Sequence, residues 1–475
     1  MSKLVFVLGV LGIWRYAWWM THFVRSRVYA YKVFPGIREK SEALWASGWR
    51  PSRIHFMLTT FRERRDTTEK VLASIVRECR SVGVPARIAL GTGDPYDEVI
   101  VAEYIRGAAR NEDIEVILVR QNQPGKRCAI GLALRSLSRH LVMDNDPVVF
   151  MDGDTILEEG VLRKCLPLFA LHPRLQALTT DEMPIVFGPK WMRSWLELRF
   201  CQRHMIMQSH ALSRKVITLT GRMSVFRGKN VVEEGFIRTI EADYLDNWLW
   251  GRFRFLSGDD KSTWFWLLTR GAEMLYVPDA LCYTVEYIVG SAGDRMKFNM
   301  WRWSGNMLRN GARAIALGPR QVGFFIWWCL VDQRIAMWTS LVGPFLALIL
   351  TAFAGPVILQ AYLIWIVATR LLLSLVLFQY AGRLDASFPF LLYLNQLLNA
   401  IVKVYAIFRL AKQRWTNRGN QSSELGSGRL AAFQLFMARY LTVFYIVVLF
   451  MFVAIYAGLM EAPSWTSLRL ALGLG

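Results

Sequence analysis

Three long apolar runs in the last third of the chain, Ile335 to Gly355, Pro356 to Phe378 and Tyr440 to Leu459, set the first limit on how it can fold. Each is about as long as a helix must be to cross the hydrocarbon core of a bilayer, ~20 residues. Arg370 lies near the middle of the second run, too deep to snorkel easily. Residues 389–411 are also apolar, but they carry Asn395, Gln396, Asn399, Lys403 and Arg409. That is too polar for a lipid-facing span. Residues 412–430 are basic and Gly/Ser-rich and read as a cytoplasmic loop. Two spans from a cytoplasmic start near residue 330 return the chain to that side. The segment 389–411 is therefore expected to be interfacial or re-entrant.

The N-terminal stretch Leu4 to Trp19 is apolar apart from Arg15, with Trp18 and Trp19 as an interfacial belt. No small-residue cleavage site follows, so it reads as an uncleaved span. Arg25, Arg27, Lys32, Arg38 and Lys40 come next and place the following domain in the cytoplasm. Residues 22–47 are expected to lie on that membrane face as an amphipathic helix. The net charge of +20 suits an anionic leaflet, an anionic nucleotide donor or an acidic product; nucleic acid is not expected as a partner. Six dispersed cysteines show neither zinc spacing nor a disulfide framework.

Between these membrane parts, residues 48–293 alternate strand-length apolar runs with helical stretches. Ile54 to Thr60, Ala86 to Leu90, Ile114 to Val119 and Pro147 to Met151 read as strands, and Thr67 to Ser81 and Lys126 to His140 as helices. The fold class is α/β, Rossmann-like, with a largely parallel sheet that binds ligands beyond its carboxyl ends. An amphipathic interfacial region, 294–334, joins it to the membrane region 335–475.

Polar residues cluster at those strand ends. Asp152 and Asp154 follow a strand two apart, so both carboxylates lie on one side of extended chain and can hold Mg2+ or Mn2+. A solvated loop is the bland alternative. Lys126 and Arg127 open a helix after Pro124-Gly125 and suit phosphate or base contacts, or simply an ordinary basic helix start. Asp94 suits a base or ribose contact, and equally a turn. Gly221, Arg222 and Met223 offer small residues and amides to an acceptor sugar, or only a turn before the next strand. Gly258-Asp259-Asp260 sets two carboxylates at a helix start, a fitting place for a general base. Downstream, Arg295 and Arg302 bring cations and Trp303 an indole face, on a helix that also suits anionic lipid.

Together, Asp152-Gly153-Asp154, Gly258-Asp259-Asp260 and Asn299-x-x-Arg302-Trp303 ahead of membrane spans resemble the processive glycosyltransferases of family 2, which include the synthases of cellulose, hyaluronan and alginate. Gly12-Ile13-Trp14-Arg15-Tyr16, Gln202-Arg203-His204, Leu219 to Arg227, Tyr276-Val277-Pro278-Asp279 and Lys412-Gln413-x-Trp415-Thr416 place the likeness nearest the alginate-polymerising, mannuronan-type branch. The resemblance implies a GT-A catalytic domain and inverting transfer to the end of a growing polysaccharide, exported through the same polypeptide of a bacterial inner membrane. It implies Asp152 and Asp154 as metal ligands, with Asp260 as base beside Asp259. Arg302 would meet the donor diphosphate and Trp303 the acceptor. The implied donor is GDP-mannuronate, and the implied partner a co-polymerase subunit that senses cyclic-di-GMP. One departure is Asn299, where the family carries glutamine. Other readings are a hyaluronan-like or β-glucan synthase using a UDP-sugar, a lipid-linked sugar transferase, or a transport component that only binds nucleotide. Arg370, Lys403, Asn395 and Asn399 are expected to line the polymer's path, although Arg370 could equally pair with a neighbouring helix.

Overall fold

The computed structural model describes residues 2–110, 112–415, 421–423, 428–456, 458–461, 464–466 and 469. The expected strands form, almost to the residue: β1 (Ile54–Thr59), β2 (Ala86–Thr92), β3 (Ile114–Arg120) and β4 (Pro147–Asp152). All four run parallel in the order β3-β2-β1-β4. Residues of β1, β2 and β4 are buried on both faces, which explains unbroken apolar runs in place of alternation. Helices Arg65–Val82 and Lys126–Ser138 supply two of the crossovers.

Beyond β4 the sheet becomes mixed. It continues through β5 (Thr155–Leu157), β6 (Leu175–Phe187), β7 (Met223–Arg227) and, after a separate hairpin β8 (Tyr244–Asn247) and β9 (Gly251–Arg254), the long β10 (Glu273–Tyr287). β7 enters antiparallel between β4 and β6, β10 lies parallel to β6, and β5 closes the edge antiparallel to β10. The carboxyl ends of β1 and β4 lie side by side, Thr59 opposite Asp152, so one rim collects the polar clusters.

At the N-terminus one helix runs from Ser2 to Val28, longer than the apolar stretch, and a second covers Phe34–Ala46. Arg15 finds Asp332 of helix Phe324–Ala354 at 2.9 Å. The second helix docks on the α/β domain through Arg38, which pairs with Asp279 at 2.7 Å, and just before it the Tyr29 hydroxyl donates to the Tyr276 carbonyl at 2.7 Å.

Among the described residues four helices are long and apolar enough to cross a membrane: Phe324–Phe353, Val357–Tyr380, Phe388–Ile407 and Arg429–Ile455. The first starts eleven residues before the apolar run at 335, because its polar turn is matched internally. Asp332 is held by Arg15, and Arg334 donates to the Leu308 carbonyl at 2.6 Å. The third, starting one residue earlier, takes up most of the polar segment 389–411, and its flanks on both sides bind the α/β domain. Before it, Arg383 pairs with Glu197 at 2.7 Å and Asp385 accepts from Ser194. After it, the Phe408 carbonyl accepts from the Trp250 indole at 3.0 Å, and Gln421 donates to the Pro124 carbonyl at 2.8 Å.

Candidate active site

Asp152 ends β4, and the chain turns through Gly153 to Asp154. A side chain at Gly153 would meet the Thr60 Cβ at 2.7 Å, so only glycine lets the turn lie against β1. Across the rim, the Lys126 ammonium at the start of helix Lys126–Ser138 lies 2.6 Å from Asp152 and 3.0 Å from Asp259. It ties the end of β4 to the start of helix Asp259–Thr269. Gly258 turns into that helix with φ +84°, and its α-carbon is so close to Asn306 that a Cβ would come within 2.9 Å. Lys126, Asp152, Gly221, Asp259 and Asp260 thereby line one narrow cleft.

The carboxylates differ in their surroundings. Burial and the neighbouring charge of Asp259 hold the Asp260 carboxyl above the ordinary range. Burial acts the same way on Asp259, but Lys126 and Arg127 outweigh it and keep that carboxyl low. Asp154 is pushed up to about 8, first by burial and then by the negative charges of Asp152, Glu286 and Glu63. Among the described residues nothing donates a hydrogen bond to its buried Oδ1. An acid so placed is short of positive charge.

The other candidate residues fall into three groups. Arg222 lies near Asp154 and pairs with Glu182 at 3.2 Å and Glu286 at 3.5 Å; Arg295 meets Glu286 at 3.2 Å. Arg302, on helix Ala292–Ala316, is enclosed nearby and feels Glu286, Arg295, Arg222 and Asp260. Its neighbour Trp303 stacks on Trp195 of helix Lys190–Ala211, centroids 6.0 Å apart. A second group braces the site. Arg127 is buried and donates its two terminal nitrogens to the Ile240 and Ser257 carbonyls and the Ser262 hydroxyl, 2.8–3.2 Å. It stiffens the Gly258 turn from behind, and of the pair only Lys126 faces the cleft. Met223 is buried in β7 opposite Met151, so it shapes the sheet and offers no surface to an acceptor. Asp94 caps helix Pro95–Ala108 through the Tyr96 amide and pairs with Arg62 at 2.5 Å.

The third group belongs to the membrane side. Asn395 and Asn399 meet the catalytic domain: Asn395 Oδ1 accepts from the Trp195 indole at 3.1 Å and from Arg199 at 3.2 Å, and Asn399 donates to it at 2.9 Å. Lys403 follows on the same helix. Arg370 donates to Gln396 at 2.7 Å, the neighbouring-helix pairing left open by its sequence position.

Sequence reading missed a buried network beside Arg222. His204 bonds Asp181, Tyr276 donates to Asp181 at 2.6 Å, and Arg203 reaches Glu182 at 2.9 Å. Gln202-Arg203-His204 and Tyr276 stand in the motifs, but nothing in the sequence pairs them with Asp181 and Glu182 of β6.

The described residues thus set acidic groups at the carboxyl rim of a Rossmann-like sheet, followed in the chain by helices long and apolar enough to cross a membrane. Residues 51–306 match the family described as Glycosyltransferase like family 2. The chain is 41% identical over 423 residues to glycosyltransferase alg8 of Pseudomonas syringae pv. tomato, covering 89% of this chain and 86% of that one. It is 38% identical over 433 residues to glycosyltransferase alg8 of Azotobacter vinelandii, covering 90% and 86%. The chain belongs to the family-2 glycosyltransferases, the family its motifs resemble. In fold it is similar to the mannosyltransferase PcManGT of Pyrobaculum calidifontis, solved with GDP-Man and Mn2+: TM-score 0.51, 17% identity, 84% of this chain and 98% of that one covered.

Proposed function

We propose that this chain is a processive, inverting glycosyltransferase that polymerises mannuronate from GDP-mannuronate and passes the product through its own membrane helices. The observation that carries this reading is the single cleft that joins Asp152, Lys126, Asp259 and Asp260, with Arg302 and Trp303 alongside on a helix that leads into the membrane region. The alg8 relatives support glycosyl transfer, and the mannuronan-type motifs support the choice of sugar.

Asp260 is the base. A sugar hydroxyl is a poor nucleophile, and a carboxylate within reach takes its proton as the new bond forms. Lys126 and Arg302 meet the leaving diphosphate, while Trp303 offers its face to the acceptor. Asp152 and Asp154 would hold a divalent cation. The buried, unpartnered Asp154 Oδ1 and the surplus of negative charge around it fit such an ion. Bound there, the cation would neutralise charge on the diphosphate.

Asp260 works when ionised, and its raised affinity for protons means that activity is lost on acidification at a pH above the usual carboxylate range. Asp259→Asn removes the neighbouring negative charge. The acid limb of the rate profile should therefore move to lower pH in this variant, readable from initial rates across a pH series. An unmoved limb would separate Asp260 from the pH-dependent step.

Helix Phe388–Ile407 lies along the cytoplasmic face in this reading, since its flanks on both sides bind the catalytic domain. A cysteine replacing Ser422 should be shielded from impermeant thiol reagents outside intact cells, and one replacing Ser464 should be labelled. The reverse pattern would mean that this helix crosses.

Donor choice is tested by supplying GDP-mannuronate, GDP-mannose, UDP-glucose and UDP-glucuronate separately to the reconstituted protein. Polymer should form from GDP-mannuronate. Polymer from a neutral donor, with none from GDP-mannuronate, refutes the reading.

A further inference from the structure

Two cations on facing helices, one of them beside Trp303, take no part in the donor cleft. Arg199, on helix Lys190–Ala211, holds its guanidinium 4.5 Å from the Trp303 ring centre and 5.3 Å from that of Trp195. Of its five N–H donors, one is spent on Asn395 Oδ1 at 3.2 Å. Lys403 stands on the facing helix at the end of the stripe Asn395, Asn399, Lys403, spaced four residues apart and so on one face. Its charge and that of Arg199 act on each other. Among the described residues neither cation has a carboxylate within ion-pair distance. Asp332, whose charge also reaches Lys403, is already taken by Arg15 at 2.9 Å.

Two like charges held together among protein atoms are costly unless an anion joins them. At Arg199 burial adds a cost of its own and pulls the guanidinium down to about 10. Both residues are half-buried and neither is fully enclosed. An indole face beside them suits a sugar ring, and a guanidinium suits a carboxylate in two-point contact.

We propose that Arg199 and Lys403 form a carboxylate-binding subsite beside Trp303 that selects a growing chain made of uronate residues. The proposal rests on the reading of the product as a polyuronate. It assigns specificity to the acceptor side, apart from the donor cleft. A neutral chain would leave both cations unmatched, and the enzyme would hold it less well.

The test uses the full chain in lipid nanodiscs without donor. Binding of a mannuronate tetrasaccharide is compared with that of the same tetrasaccharide after carboxyl reduction, which keeps its length and removes its charge. The wild type should prefer the acidic form by about tenfold or more, the scale of a charge-assisted hydrogen bond. Arg199→Gln should reduce that preference to within about twofold, Lys403→Gln should reduce it in part, and Arg199→Lys should keep more of it than the glutamine variant. Unchanged preference in a folded Arg199→Gln protein, or equal binding of the two forms by the wild type, would overturn the proposal. Failure of the donor reading shows separately, in the donor comparison, since no donor enters this measurement.

Discussion

Replacing Asp260 by asparagine is expected to end polymer synthesis, with a loss of ~10²–10⁴-fold in rate, the usual worth of a positioned general base. The substitution keeps size and removes the proton acceptor. Asp260 lies at the first turn of helix Asp259–Thr269, so an asparagine there disturbs neither core nor strand. Donor binding should persist, because Lys126, Asp152 and Asp154 hold the other side of the cleft. Radiolabelled sugar incorporation measures the first effect and nucleotide affinity the second. Near-normal synthesis by a folded variant would remove Asp260 from the chemistry.

Loss of the divalent cation is expected to have an effect of similar scale. Chelator should stop wild-type turnover, and Mg2+ or Mn2+ should restore it. Asp154→Asn should cost about 3 kcal/mol of charge stabilisation, roughly 100-fold in rate. It should also weaken cation-dependent nucleotide binding, which can be read without turnover. The reason is local: among the described residues nothing donates to the buried Asp154 Oδ1, and the carboxyl stands among the negative charges of Asp152, Glu286 and Glu63, which a bound cation would offset. Full donor binding and turnover in chelator would dismiss the metal from this site.

The parallel half of the sheet was legible because β1, β2 and β4 are buried on both faces, and unbroken apolar runs announce such strands. The antiparallel insertion of β7 was not, since sequence does not say from which end a strand enters a sheet. The same limit separates Lys126 from Arg127. Adjacent residues on a helix point about 100° apart. One ammonium faces the cleft at 2.6 Å from Asp152, while the neighbouring guanidinium is consumed by backbone carbonyls. Met223 opens β7, whose residues are all buried between β4 and β6, and sequence does not show that both faces of this strand are covered. Arg199 was invisible for another reason. It is one of several basic residues on a long helix, and only its setting between Trp303, Trp195 and Asn395 distinguishes it.

The most direct test of the account is the mass distribution of product made by purified protein in nanodiscs from GDP-mannuronate alone. The account predicts long chains, spaced by one mannuronate residue, already present when little donor has been consumed. GDP and free sugar only, or acceptors extended by a single residue, would contradict it.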